Sequence, residues 1–403
     1  MSWQVWRVVI GRVNTGQAVF AQIMAHIPHW EFQRAYRACG ARVPRSDALS
    51  PWDHFLALCF AQLTFRQSLR DIEACLRAQP GLAYHLGFRG AITRSALARA
   101  NEQRDWQPWA MLARKLMPKV RALYQTEPTA LDMDVPVIAI DSSLIDLSLA
   151  LCPWANFTGV KAALKLHTAL DLRGPVPAFV NVTSGEDSDM GGLDNLPVEP
   201  GAVYVMDRGY IDFRRLRRLA DQGAFFVIRS RPDVRFYVRA SRTVERTGTL
   251  RADQIVRFNG TDVPDYWPGD LRRVTIYDAE HARRLVFWTN LWDVPAAVVA
   301  EAYRQRWRIE LFFRWLKHGL RIQTFYGTSE NAVRLQLWAS ICVYLAMASA
   351  RKQLGITINL TTFVQVLSLH ALSKSPVAEL FAGNDTSRAK FNTHNQLSFS
   401  DFN

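Results

Sequence analysis

The spacing of apolar residues changes character near residue 135. Upstream they recur at helical intervals, most densely in Phe55-Leu56-Ala57-Leu58-Cys59-Phe60-Ala61-Gln62-Leu63. That density predicts a buried helix with Ser50 as its cap and Pro51 in its first turn. Residues 17–125 read as mostly helical. Two segments within them, 65–72 and 93–101, are basic helices whose Arg, Ser and Thr residues suit phosphate contact. A helix-turn-helix-like DNA module and the solvated faces of an ordinary bundle fit that pattern equally, because no specific motif separates them.

Downstream the apolar runs are short, β-branched and bounded by turns. Residues 135–140 form one such run, ending at Asp141. Residues 163–170 and 176–182 predict two strands joined by a turn at Asp171-Leu172-Arg173-Gly174-Pro175. Another run, 202–206, ends at Asp207, and a basic helix over 213–222 closes at Gly223. Strand texture resumes at 224–229 and continues through 234–238, 274–277 and 285–289, with turns at Asn259-Gly260 and Pro268-Gly269. A helix through 303–317 follows, with Asp293 as its expected cap and Pro295 in its first turn. The longest apolar run, 337–350, is interrupted by Ser340 and Ser349. It falls short of a bilayer and predicts a buried helix.

Composition narrows the class. Hydrophobic residues at 49% and charged residues at 21% describe a folded chain, and 403 residues suffice for two or three domains. Lys and Arg number 49 against 36 acids, a formal charge of +13, which points to a polyanionic partner, nucleic acid before membrane surface. The five cysteines are scattered without a C-x-x-C pair, which disfavours zinc and fits a reducing cytosol. The N-terminus lacks a secretory h-region. Phosphate-loop, dinucleotide-binding and nucleophile-elbow motifs do not occur.

The helix at 303–317 carries the candidate chemistry. At the helical period, Tyr303, Arg306, Glu310 and Lys317 share an arc of about 60°. Asp141 and Asp207 each end an apolar run, a context that Asp disfavours and that open α/β sheets place at ligand sites. Together with Glu310 they offer the all-oxygen ligand set of Mg2+, for which Mn2+ substitutes. Two such ions about 4 Å apart serve the attacking and leaving oxygens of a phosphodiester. Arg208, Arg306 and Lys317 would neutralise phosphates, and Tyr303 would hydrogen-bond one. Glu301 lies on the far side of the helix. Asp146 is an outer-layer candidate, and Asp187 and Asp189 read as loop acids. His167 reads as a satisfied buried histidine. Trp288 and Trp292 are candidates to stack on an unpaired base, weighed against packing in the core.

These residues resemble a known family. Tyr303, Arg306, Glu310 and Lys317 satisfy the Y-(2)-R-(3)-E-(6)-K signature of DDE transposases of bacterial insertion sequences, specifically insertion sequence family four. Asp141 in Ile140-Asp141-Ser142-Ser143 and Asp207 in Met206-Asp207-Arg208-Gly209-Tyr210 resemble its two aspartates. The likeness extends through Phe325-Tyr326-Gly327-Thr328-Ser329-Glu330-Asn331-Ala332-Val333 and upstream to Ser68-Leu69-Arg70-Asp71-Ile72-Glu73. It implies an α/β fold: a ribonuclease H-like catalytic core with a mostly β insertion, preceded by a helical N-terminal region. The expected organisation is a non-native extension over 1–12, a helical DNA-binding region over 13–130, core segments over 131–223 and 293–372 around an insertion over 224–292, and a tail over 373–403. The resemblance also implies metal-dependent cleavage and strand transfer on double-stranded DNA, both transposon ends and target, within a homodimeric synapse. The expected location is the bacterial cytoplasm, on the nucleoid, without a membrane. A catalytically silent DNA-binding descendant and a structure-specific nuclease are the alternatives.

Overall fold

The computed structural model describes residues 16–41, 49–78, 80–127, 135–155, 157–159, 161–191, 194–244, 248–259, 263–319 and 325–382. The extension expected at 1–12 and most of the expected tail therefore lie outside the described residues, as does Gly260. The described residues fall into two compact units. One holds those up to Leu123, from Ile145 to Ala162 and from Arg314 on; the other holds those between.

The first unit is helical, as the upstream periodicity predicts. Its longer N-terminal helices are α1 (Val19–Met24), α2 (His29–Ala38), α3 (Pro51–Leu63), α4 (Leu69–Arg77), α5 (Arg94–Gln103) and α6 (Gln107–Ala122). Small polar residues start three of them. Ser50 Oγ accepts from the Asp53 N–H ahead of α3, with Pro51 at the first turn, and Ser68 and Thr93 cap α4 and α5 the same way. His26 is buried beside α1, and its Nδ1 lies 3.2 Å from Ser349 Oγ. Burial pushes its imidazole down from 6.5 to about 4. The unfolded chain takes up that proton first, so stability is lost as pH falls from about 6.5 toward 4, by about 3 kcal/mol in total. Urea titrations across that window should show the loss, and a His26→Asn chain should lack it; parallel curves for the two would contradict the assignment.

The second unit is built on one nine-stranded sheet. Its strands are β1 (Val137–Leu147), β2 (Ala162–Asp171), β3 (Val176–Ser184), β4 (Val203–Met206), β5 (Phe225–Arg229), β6 (Phe236–Arg242), β7 (Leu250–Phe258), β8 (Leu271–Asp278) and β9 (Arg283–Thr289), in the order β3-β2-β1-β4-β5-β9-β8-β7-β6. β4 runs parallel to both β1 and β5, β3 is antiparallel to β2, and β6 to β9 form an antiparallel meander joined to β5 through β9. The expected insertion thus begins with a strand, β5, that pairs in parallel with β4.

Helix α7 (Phe213–Asp221) links β4 to β5. Asp212 caps it by accepting from the Arg214 and Arg215 N–H groups, and Gly223, at φ +75°, turns the chain out of it. Its Phe213 and Leu216 pack with Ile140, Met206, Phe226 and Ile228.

Two helices follow β9: α8 (Ala296–Gln305) and α9 (Trp307–Arg314), continued by a π-helical turn over Trp315–Gly319. This departs from the uniform helix predicted over 303–317. A π turn winds more slowly than an α-helix, so the rotation that aligned Lys317 with Glu310 does not carry through it. The cap also differs: Pro295 occupies the N-cap position without a side-chain hydrogen bond, in place of the expected Asp293.

The first unit closes with α10 (Glu330–Gln353) and α11 (Leu360–His370). By length and composition α10 could cross a membrane, yet it is buried among α3, α5 and α6, as the 337–350 run predicts. The segment ahead of it explains the motif at 325–333. Tyr326 donates its hydroxyl to the Arg66 carbonyl at 2.7 Å and its N–H to Gln336 Oε1 at 2.9 Å, and Asn331 donates to the Asn101 carbonyl at 2.8 Å. A Cβ on Gly327 would stand 2.7 Å from that of Ala332, so the turn requires glycine.

Candidate catalytic site

Register places the acids. Ala139 is level with Val205, and Ile140 with Met206, across parallel β1 and β4. The next pair along is therefore Asp141 and Asp207, side by side on one face of the sheet. Met206 is level with Ile228 on β5, which sets Arg229 beside Asp207, and Arg229 is level with Phe287 on β9. The row reads Asp141, Asp207, Arg229, Phe287. The two aspartates differ in one respect from expectation. Asp207 leaves its strand and caps a short 3-10 turn at Arg208–Tyr210, whereas β1 continues past Asp141 to Leu147.

Helices α8 and α9 bring their polar stripe onto this row. The Tyr303 ring sits on Phe287 with centroids 4.6 Å apart, and its hydroxyl donates to Asp207 Oδ1 at 3.0 Å. Arg306 donates from Nη1 to Asp141 Oδ2 at 3.0 Å and from Nη2 to Glu310 Oε1 at 2.6 Å. Backbone N–H groups of Ser142 and Arg208 donate to Asp141 and Asp207 at 2.9 and 2.7 Å. Arg229 Nη1 lies 3.9 Å from Asp207 Oδ1. Tyr303 thus meets Asp207, and Arg306 joins Asp141 to Glu310.

Burial governs the protonation of this cluster. It pushes the Asp141 carboxyl above the ordinary range, against the pull of Arg306 and the Ser142 N–H. It raises Glu310 likewise, again opposed by Arg306. Burial, with Asp207 adding to it, moves the Tyr303 phenol up to about 12. For Arg306 burial works downward but is outweighed by Tyr303, Asp141, Glu310 and Asp207, which hold the guanidinium charged.

Among the described residues, the side chains of the remaining sequence candidates form no hydrogen bond or ion pair with the three carboxylates. The Arg208 side chain is exposed beside Asp207. Lys317 belongs to the π turn and to the other unit, where burial lowers its ammonium against the charge of Asp146. Asp146 is thereby a neighbour of Lys317. Trp288 is 0% exposed, with its ring edge-on to Phe236 and Phe258 at 5.2 Å each, so it packs in the core. Trp292 is half-buried, with the Arg242 guanidinium 5.8 Å from its ring centre. Glu301 pairs with Arg304 and Gln305, off the stripe. His167 is buried with Nε2 2.9 Å from Thr183 Oγ1.

Two residues gain weight from the structure. Arg229 ends an apolar run just as Asp207 does, and that shared context was the available signal. Asp189, read as a loop acid, accepts from Ser142 Oγ at 2.7 Å and pairs with Lys165 at 3.1 Å, which anchors the residue next to Asp141.

Three carboxylates without nitrogen or sulfur partners form the donor set of a hard divalent ion, and two of them already grip one cationic group. The acids fit such an ion chemically. They are not drawn together as a closed cage: among the described residues the ligand atoms that all lie within 4.8 Å of one another belong to Asp278, Glu280 and His281. That group sits on the β8–β9 turn, where Asp278 accepts from His281 and Arg283.

Comparison with known proteins places the chain in a family. Residues 134–346 match the family described as "Transposase DDE domain", and residues 15–89 match a domain of unknown function, DUF4372. A putative transposase, y4zB, of Sinorhizobium fredii is 32% identical over 232 residues, 57% of this chain and 64% of that protein. A probable transposase for insertion sequence element IS5377 of Geobacillus stearothermophilus is 28% identical over 64% of this chain and 69% of the relative. A putative transposase for element IS4SA of Synechocystis is 23% identical over 65% and 73%. The match thus spans about two thirds of these relatives' length.

Proposed function

The chain belongs to the DDE transposase domain family, and from that premise we propose that it binds the terminal inverted repeats of its insertion sequence and catalyses DNA cleavage and strand transfer. The observation that carries the proposal is the level pair Asp141 and Asp207 with Glu310 brought to it on the overlying helix. The strand order β3-β2-β1-β4-β5, with its parallel β1-β4-β5 centre, supports a ribonuclease H-like core extended by the β6–β9 meander.

In this reading Asp141, Asp207 and Glu310 hold Mg2+, with Mn2+ as substitute. Such ions supply activation of the attacking oxygen and stabilisation of the leaving oxygen. The chain's own groups do the positioning. Tyr303 and the Arg208 N–H fix the rotamer of Asp207, and the Ser142 N–H fixes Asp141. Arg229, Arg208 and Arg306 supply positive charge for the phosphodiester, Arg306 with the planar fork that suits phosphate. The helical N-terminal region adds DNA contacts, and two copies act together across paired ends in the cytoplasm, at the nucleoid.

Tyr303→Phe keeps the ring on Phe287 and removes one hydrogen bond to Asp207. Cleavage should slow about tenfold, the scale of a hydrogen bond to a charged group. A rate equal to wild type in a single-turnover assay would reduce Tyr303 to a packing residue. Inverted repeats flanking the gene supply the substrate for that assay and test the function itself. Nicking at the repeat boundary that requires Mg2+ is the expected result, and binding without nicking would contradict it.

A further inference from the structure

Arg306 occupies the position of a positive charge between two carboxylates that the proposed function gives to a divalent ion. Its guanidinium holds Asp141 Oδ2 at 3.0 Å and Glu310 Oε1 at 2.6 Å at the same time, with its side chain 13% exposed. Oxygens engaged in charge-assisted hydrogen bonds at these distances direct their lone pairs at the donor. A divalent ion taking the same oxygens would meet both that competition and the repulsion of the guanidinium. The arginine is also incompletely satisfied where it stands: its Nε is buried with no hydrogen-bond partner among the described residues. A phosphate offers a guanidinium two parallel acceptors in the fork geometry. Moving Arg306 away alone would leave Asp141 and Glu310 buried without a counter-charge, which is costly. Asp207 feels this cation only through space and is hydrogen-bonded by Tyr303 and the Arg208 N–H instead.

We propose that Arg306 is an exchangeable internal counter-ion: it occupies the Asp141–Glu310 position in the DNA-free chain and passes to a DNA phosphate as the divalent ion loads, so that metal and DNA each tighten the binding of the other. The inference rests on the metal-binding reading of these acids. Linkage makes the effect reciprocal, so it can be read from the metal side without any cleavage. The device keeps the free enzyme poorly loaded and confines loading to the moment a phosphate arrives.

The test is a Mn2+ titration followed by electron paramagnetic resonance, on the wild-type chain, Arg306→Gln and Arg306→Lys, with and without a duplex oligonucleotide. Thermal melts confirm that each variant folds. Without DNA, Arg306→Gln should bind Mn2+ at least about tenfold more tightly than wild type, the scale of a charge-assisted hydrogen bond. The duplex should raise the wild-type affinity and leave Arg306→Gln unchanged. Arg306→Lys, which keeps the charge without the fork, should fall between them. Equal Mn2+ affinity in wild type and Arg306→Gln would overturn the exchange, as would an Arg306→Lys chain identical to wild type, which would leave no role for the bridging fork. Failure of every chain to bind Mn2+, with or without DNA, would instead remove the metal-binding reading itself.

Discussion

Replacing Asp207 by Asn should lower Mg2+-dependent cleavage of transposon-end DNA by at least about a thousandfold, about 4 kcal/mol of barrier. The substitution is nearly isosteric. An Asn side-chain oxygen still accepts from the Arg208 N–H and from the Tyr303 hydroxyl, contacts now made at 2.7 and 3.0 Å. What it loses is the negative charge, which is what a hard cation requires of its ligand. Fold and DNA affinity should therefore remain near wild type while chemistry stops. Asp141→Asn and Glu310→Gln should behave alike, since the three act as one unit and their losses do not add. Gel-shift and single-turnover nicking assays on the same preparation separate the two properties, and an Asp207→Asn chain that nicks at the wild-type rate would refute the site.

The largest stability effect is expected at Arg272. It is 1% exposed, and its guanidinium grips Asp253 through two bonds of 2.9 and 2.7 Å while donating to the carbonyls of Leu291 and Val294. One side chain therefore joins β7, β8 and the segment that enters α8, the helix that delivers Tyr303. Arg272→Met should cost about 3–5 kcal/mol, because Asp253 is left as a buried unpaired charge. Adding Asp253→Leu should recover much of that loss, since replacing a buried pair together is far milder than breaking it. Urea denaturation of the two chains decides the matter. A loss below about 1 kcal/mol for Arg272→Met would mean that solvent reaches the pair.

The same pair shows where sequence reading ran out. β7 carries Arg251, Asp253, Gln254 and Arg257, polar residues that blur its apolar alternation, and Asp253 itself disfavours a strand, so no strand is predicted there. Its neighbours neutralise it: Arg272 meets Asp253, and Asp270 meets Arg257 at 2.8 Å. No local pattern announces a partner about twenty residues away. The helix stripe was legible because it depends on a local period, and it held for Tyr303, Arg306 and Glu310. Beyond Arg314 the regular period gives way to the π turn that holds Lys317, a change set by packing rather than by spacing. Asp141 and Asp207 stood out as polar residues after apolar runs. Their adjacency came only from the parallel register of β1 and β4, which a single chain of letters does not encode. Trp288 illustrates the reverse: an aromatic near the site was a stacking candidate until Phe236 and Phe258 closed around it.

Mapping where a divalent ion sits on the polypeptide tests the central claim most directly. Fe2+ substituted for Mg2+ and supplied with ascorbate and peroxide cuts the backbone beside its ligands. With DNA bound, fragments ending next to Asp141, Asp207 and Glu310 are the predicted result, suppressed by excess Mg2+. Fragments confined to the Asp278–His281 turn, with those three positions intact, would contradict it.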